Sequence, residues 1–331
     1  MNIILTYKNQ NSPSFIFYKN ALKKMNKNKF VNIKFKKFTP KILEGKFDIF
    51  LFMSGTCDLN FKKKKNILYG IVDPRAANYD NFSIFDFIIA NGLEEKFFFD
   101  NTQLPTFIYP VYPYVKCGVK KKKKKTILAY HGNKEHLINM FPRITKAIQM
   151  ISHKYSIELK LIYNFKDKGP VSEINEKYLK CKVHHLQYYE GCLNKYLSDT
   201  DIGIVPQLKS ISKKKVKKNL GNLISKQLFK KEYFFSLNFK ETTNLGRHFV
   251  FAQLKIPIVT DYTISSSNFI NNMKNGLLAY DTYDWYENLE YLIKNKNDSI
   301  KIGKQFYKDW KKYYSHKVLN KNLLYFFKNN R

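Results

Sequence analysis

Between Asn244 and Asp261 the chain reads NLGRHFVFAQLKIPIVTD. Asn244 suits a helix N-cap, since its side-chain oxygen can accept a backbone N–H from the first turn. From Phe249 to Leu254 the stretch is apolar nearly all the way round, as a helix held between two packed layers must be. Ile256 to Thr260 is β-branched but for Pro257, which stands at the strand's start, where a missing N–H does least harm. Asp261 falls at the strand's C-terminal end. A buried helix running almost directly into a buried strand is the repeating unit of a parallel α/β sheet.

The same grammar extends in both directions. TILAYH, IELKLIY and DIGIVP are apolar runs of strand length, and Lys134 to Met150 has helical spacing. GLLAY reads as a short edge strand and DWYENLEYLIKN as an amphipathic helix, with further helices over 298–313 and 316–328. Earlier, NIILTY, VNIKFKKF, FDIFLFM, KNILYGIV, FDFIIA and PTFIYPVYP read as strands, with helices at SFIFYKNALKKM and NGLEEKFFF. The lysine-rich run KCGVKKKKKKT is a solvated linker between them. The expected fold is therefore α/β, with two Rossmann-like domains facing a cleft. Residues 1–115 form the first domain, 116–125 the linker and 126–315 the second, and 316–331 form a terminal helix. In such sheets ligands sit beyond the C-terminal ends of the strands.

A formal net charge of +33 on 331 residues suggests nucleic acid or an anionic membrane. Yet the 59 basic residues include only four arginines, at 75, 143, 247 and 331. Lysine, asparagine, isoleucine, phenylalanine and tyrosine all have codons built from A and T, so AT-rich coding accounts for most of the charge. Dedicated phosphate and base readers lean on the arginine fork instead. No specific nucleic-acid partner is expected. Cys57, Cys117, Cys181 and Cys192 are scattered without a C-x-x-C pair, which argues against a disulfide framework or zinc site. With no leader-like start and no long uncharged apolar run, a cytoplasmic protein is expected, with peripheral contact to the anionic inner face of the membrane.

Three strand-end loops of the second half carry the candidate chemistry. In YHGNKEH, Gly132 permits close backbone approach, Asn133 and Lys134 add donors, and a helix start offers free N–H groups. No G-x-G-x-x-G is present, so a dinucleotide site is unsupported. After DIGIVP, Pro206 and Gln207 are candidates for a nucleoside or sugar pocket, together with Asp261 and Tyr262. In the third loop Lys240, Asn244 and Arg247 converge on a helix start, a combination that suits a diphosphate. In GIVDPRAANYD, Asp73 is the candidate general base, and Arg75 beside it a candidate for an anionic acceptor. An Asp-Pro turn initiator is an equally good reading of Asp73. His131 is a second candidate base, with a structural role the commoner one for such a residue. His184-His185 lacks a third ligand, so no metal is assigned.

The motifs ILAYHGN, YLSDTDIGIVP, NLGRHFVFAQLKIPIVTD and NGLLAYDTYDWYENLEYLI resemble those of GT-B glycosyltransferases of the group 1 type. The third is similar to that family's E-A-x-A-x-G-x-P-V-I-x-T/S-D block. In the first half DFIIANGLEEKFF is similar to its D-x-I-I-A-N-S segment. The resemblance implies a sugar-nucleotide donor held mainly by the second domain, and a glycan or lipid-linked acceptor on the first. It also implies a metal-independent reaction without a cofactor, and a last helix that crosses back to the first domain. The chain departs from the family at Val250 and Thr242, which stand where the glutamates of E-x7-E would fall, and at Lys255, where glycine is common. These departures define a divergent branch in which Lys240, Asn244 and Arg247 take over the diphosphate. Three other readings stay open: a diverged, inactive copy, a GT-B-fold epimerase or phosphorylase, and a polyanion-binding protein without catalysis. The expected setting is bacterial surface-glycan or glycoconjugate synthesis.

Overall fold

The computed structural model describes residues 1–53, 61–74, 82–116, 124–166, 169, 176–211, 236–238 and 243–330. Arg75, Lys240, Thr242, Cys57 and Cys117 lie outside them. The chain divides into two compact units. The first comprises Met1–Tyr114, Glu241–Gln253 and Tyr307–Arg331; the second comprises Val115–Lys240 and Leu254–Phe306. Sequence alone counts 241–253 with the second domain, but spatially this stretch groups with the first. The C-terminal return begins at Tyr307.

The first unit contains β1 (Asn2–Tyr7), α1 (Pro13–Leu22), β2 (Asn32–Lys37), β3 (Ile49–Met53) and β4 (Leu68–Val72). After these come β5 (Phe87–Ala90), α2 (Leu93–Phe98) and β6 (Thr106–Ile108). The six strands are parallel, in the order β2-β1-β3-β4-β5-β6. β3 is buried at every position, which explains why FDIFLFM does not alternate. Gly70 in β4 has a packing reason, since a Cβ there would stand 2.1 Å from the Phe87 ring.

The second unit contains β7 (Thr126–His131), α3 (Lys134–Ile138), α4 (Arg143–Lys154), β8 (Ile157–Tyr163), β9 (Lys182–Gln187), α5 (Cys192–Tyr196) and β10 (Ile202–Val205). A two-stranded antiparallel pair, β11 (Lys209–Ile211) and β12 (Ser236–Asn238), follows. The next helix, α6 (Gly246–Gln253), belongs to the first unit. Then come β13 (Ile258–Asp261), α7 (Ile264–Phe269), β14 (Leu277–Ala279), α8 (Thr282–Lys294), α9 (Lys296–Tyr313) and α10 (His316–Asn329). The sheet is parallel, in the order β14-β13-β10-β7-β8-β9. That is the doubly wound 3-2-1-4-5-6 arrangement, whose direction of winding reverses beside β7.

Local signals account for most boundaries. α8 starts at a capping box made by Asp281 and Asp284, and it buries Trp285, Leu289, Leu292 and Ile293 at helical spacing. The single helix expected over 134–150 is two helices, because Pro142 cannot continue α3 and α4 starts afresh after it. β9 and α7 are additions to the sequence reading. KVHHLQ hides its strand character because it is a half-buried edge strand with paired polar side chains. ISSSNF is a short helix capped by Thr263. β14 lies at the sheet edge, as GLLAY suggests.

Candidate active site

The loops leaving β7, β10, β13 and β14 all lie at the C-terminal side of the second unit's sheet. Beside the winding reversal, Gly132 takes φ +145°, a conformation closed to residues with a Cβ, and its N–H bonds to the Ile162 carbonyl at 3.0 Å. Asn133 caps α3 by accepting from the Glu135 N–H at 3.1 Å, while Tyr130 donates its hydroxyl to the Asn133 carbonyl at 2.6 Å. Lys134 is half-buried, with its Nζ 3.2 Å from the Gly169 carbonyl oxygen. His131 ends β7 and is buried. The loop is thus shaped by its own hydrogen bonds, with one ammonium beside a glycine backbone.

Asp261 is completely buried and serves as the hub of these loops. Its Oδ2 accepts the N–H groups of Gln207 at 2.7 Å and Leu208 at 2.8 Å. Its Oδ1 accepts Arg143 Nη1 at 2.6 Å and Trp285 Nε1 at 3.0 Å. Arg143 also donates to the Tyr280 carbonyl at 2.7 Å. One carboxylate therefore ties the ends of β10 and β13 to the starts of α4 and α8. Gln207 extends the lock, as its Oε1 accepts the hydroxyls of Thr263 at 3.0 Å and Ser266 at 2.6 Å. Pro206, Gln207 and Asp261 form a buried layer that positions the loops, while Tyr262 is 51% exposed. Arg143, Trp285, Thr263 and Ser266 escape the sequence reading; the scarcity of arginine is the one hint to Arg143.

The start of α6 has a packing explanation of its own. Asn244 Oδ1 accepts the Gly246 N–H at 2.7 Å, while its Nδ2 donates to the Val111 carbonyl at 3.2 Å. A Cβ on Gly246 would stand 2.1 Å from that same carbonyl oxygen, so the helix requires glycine there. Gln253 Nε2 donates to the Pro113 carbonyl at 3.1 Å, and Phe249 meets the Tyr112 ring edge-on. The helix is thereby laid along Val111–Pro113 within the first unit. Arg247 is half-buried on it, and Val250 is fully buried.

Asp73 follows β4 with φ +52°, a left-handed conformation unusual for a residue other than glycine. It is buried, and Asn91 Nδ2 donates to its Oδ1 at 2.5 Å. Tyr18 in turn donates to Asn91 Oδ1 at 3.1 Å, and the Asn91 N–H donates to Glu95 Oε2 at 2.5 Å. Glu94 and Glu95 are buried beside it in the first turn of α2. The polar cluster at the ends of β4 and β5 thus joins Asp73 to Asn91, which the sequence places in a family-like motif without a role, and to Tyr18, which it does not flag.

His184 and His185 point to different partners, Glu158 at 3.1 Å and Glu176 at 2.5 Å, and Tyr163 bonds His185 Nδ1 at 2.6 Å. Among the described residues no group of three or more His, Cys, Asp or Glu side chains could hold a metal ion. Cys181 and Cys192 are free thiols. No helix among the described residues is long and apolar enough to cross a membrane.

No family model and no curated protein sequence matches this chain. Solved structures do. A glycosyltransferase from Rickettsia africae superposes with a TM-score of 0.69 at 11% identity, over 99% of this chain and 98% of its own. The lipopolysaccharide outer core galactosyltransferase WaaB in its apo form gives 0.63 at 10% identity, over 98% of each chain. HepE of Anabaena in complex with UDP-glucose gives 0.62 at 9% identity, over 99% of this chain and all of its own. At such identities the likeness establishes the fold: two parallel six-stranded α/β sheets, the GT-B glycosyltransferase architecture.

Proposed function

We propose that the protein is a glycosyltransferase that moves a sugar from a nucleotide-diphosphate donor to an acceptor hydroxyl. The observation that carries this reading is the GT-B fold over nearly the whole chain, combined with the β7 loop. There a left-handed glycine and Lys134 stand at the winding reversal of a doubly wound sheet. The donor's diphosphate docks beside Gly132–Lys134, held by the Lys134 ammonium, while the Gly132 N–H stays on the Ile162 carbonyl and the glycine lets the ligand come close. Tyr262 is the exposed ring available to a nucleoside. Asn244 drops out of this role, because its side chain is spent on Gly246 and Val111. Arg247 and Lys240 stay as further diphosphate ligands to be tested by substitution.

In the reaction the bond between the anomeric carbon and the diphosphate oxygen breaks, and a bond to the acceptor oxygen forms. The nucleoside diphosphate leaves with the electron pair, and cationic groups stabilise it where charge develops. Metal-independent transfer of a hexose is part of the proposal, as is the absence of a cofactor. Asp73 is the proposed base that takes the acceptor's proton. Support comes from its left-handed backbone, since strain of this kind concentrates at functional sites. UDP is the first nucleotide to test, because the Anabaena neighbour was solved with UDP-glucose. A bacterial surface glycan or lipid-linked acceptor, reached by peripheral contact with an anionic membrane, completes the reading; for the glycan alone, WaaB, a lipopolysaccharide outer core galactosyltransferase, is the supporting neighbour.

The deciding experiment incubates the purified protein with UDP-, GDP- and ADP-sugars and a panel of lipid-linked and free glycan acceptors. Transfer of label onto an acceptor is the expected result. Interconversion of the free donor sugar without transfer would instead favour an epimerase, and inertness toward every donor would sink both.

A further inference from the structure

Lysine-rich coding spreads positive charge over the whole chain, but it does not empty a long stretch of carboxylates, and near Phe30 the one acid is Asp48, which is engaged by the Asn2 N–H and the N-terminal ammonium. Residues 1–43 contain ten lysines and no aspartate or glutamate, in a chain that carries 26 acids. All ten are exposed. They lie on α1, on the turn Lys23–Lys27 that follows it, on β2 at the sheet edge, and in the adjoining loops. Residues 310–331 likewise lack acids, and their helix α10 packs on α1, with Asn320 Nδ2 donating to the Ala21 carbonyl at 3.0 Å. Its outer side adds exposed Lys317, Lys321 and Lys328. None of these lysines forms an ion pair among the described residues. In the second unit, by contrast, Lys125, Lys154, Lys160, Lys294 and Lys301 each meet a carboxylate. Crowding has an electrostatic signature as well: burial and then the charge of Lys27 push the Lys24 ammonium below its ordinary value.

Two aromatic side chains stand out of this edge. Phe30, between Lys29 and Val31, is 83% exposed, and Tyr325 on α10 is 67% exposed. A phenylalanine held in water beside unpaired lysines suits the boundary between lipid headgroups and acyl chains. There the ring is buried and the ammonium groups face anionic phosphates. Arginine, the fork preferred for nucleic acid, is missing from the described residues of the edge.

We infer that the edge formed by α1, the Lys23–Lys27 turn, β2 and α10 is a membrane-docking face for anionic lipid, with Phe30 as its apolar anchor. This names the surface for the membrane contact proposed above and rests on that reading. Its test needs no sugar nucleotide, so its failure is separable from failure of the donor site.

The experiment is flotation with vesicles of phosphatidylcholine alone, or with phosphatidylglycerol added, at low and raised salt. Wild type is compared with Lys27→Glu/Lys29→Glu/Phe30→Ser, with Phe30→Ser alone, and with a control bearing Lys274→Glu, Lys296→Glu and Lys304→Glu. The control residues are exposed lysines of the second unit, and the triple reversal changes net charge by more than the edge variant's two reversals do. Binding only to the anionic vesicles is expected, weakened by salt. The edge triple variant should lose about tenfold or more in partitioning. Phe30→Ser should lose a smaller but measurable part, and the control should stay within about twofold of wild type. Circular dichroism checks that each variant is folded. Absence of vesicle binding by wild type, or an equal loss in control and edge variants, would overturn the inference. Tighter binding to a random duplex DNA than to vesicles, with Phe30→Ser without effect, would overturn it in favour of nucleic acid.

Discussion

The two units treat buried polarity in opposite ways. In the second, the Asp261 carboxylate is neutralised by the Arg143 guanidinium, and its four hydrogen bonds join separate loops. In the first, Asn91 donates to Asp73, Tyr18 donates to Asn91, and His316 stacks on Tyr112 at 4.2 Å. A charge-paired hub gives rigidity, and it costs dearly to break. The Asp73 carboxylate, which accepts the Asn91 amide, is held on a left-handed backbone.

Breaking the hub should have the largest effect on stability. Asp261→Ala leaves the Arg143 charge buried without its carboxylate, and a loss of about 3–5 kcal/mol in denaturant unfolding is expected. A loss below about 1 kcal/mol would show that the hub is not what holds the loops. Asp73→Asn should act the other way, costing about 1 kcal/mol in stability but lowering the transfer rate by about two to four orders of magnitude. Unchanged turnover would remove Asp73 as the base and leave it a turn residue.

Acid sharpens the comparison further. Burial, with Lys24 nearby, lowers His316 from its ordinary 6.5 to about 3. Below pH 6.5 the unfolded chain takes up a proton that the folded chain refuses. Stability from this group is therefore complete above pH 6.5 and is lost progressively as pH falls toward 3. At pH 5 the cost is on the order of 2 kcal/mol. His316→Phe keeps a ring against Tyr112 without the titration, so its melting temperature should fall less than that of wild type between neutral pH and pH 5. Parallel curves would contradict the assignment. The smallest effect is expected at Lys255, whose φ of +57° belongs to glycine. Lys255→Gly should change stability by no more than about 1 kcal/mol, in the stabilising direction, because relief of the backbone outweighs the added freedom of the unfolded chain.

Much of this was legible in the chain. Continuous apolar runs such as IFLFM announce strands covered on both faces, and the amphipathic spacing of DWYENLEYLIKN announces a helix. Lys255 stands where the family resemblance leads one to expect glycine, and its left-handed backbone agrees with that expectation. What stayed hidden depends on distant partners. Asn244-x-Gly246-Arg247 has the look of an anion site, yet Asn244 and Gly246 answer to the Val111 carbonyl, 133 residues away in sequence from Asn244. Arg143 and Trp285 are unremarkable helix residues until both are seen on one carboxylate. Asn91 likewise acquires meaning only once β4 and β5 lie side by side.

The most direct test of the central claim is thermal stabilisation by UDP, GDP, ADP and CMP at moderate salt, with wild type compared with Lys134→Ala and Arg247→Ala. One nucleoside diphosphate should raise the wild-type melting temperature by about 5 °C at a hundredfold excess over Kd. Lys134→Ala should lose most of that response, and retention or loss in Arg247→Ala decides whether the α6 start shares the diphosphate. If no nucleotide shifts the wild type, or Lys134→Ala responds as fully as wild type, the strand-end loop after β7 is not the donor site.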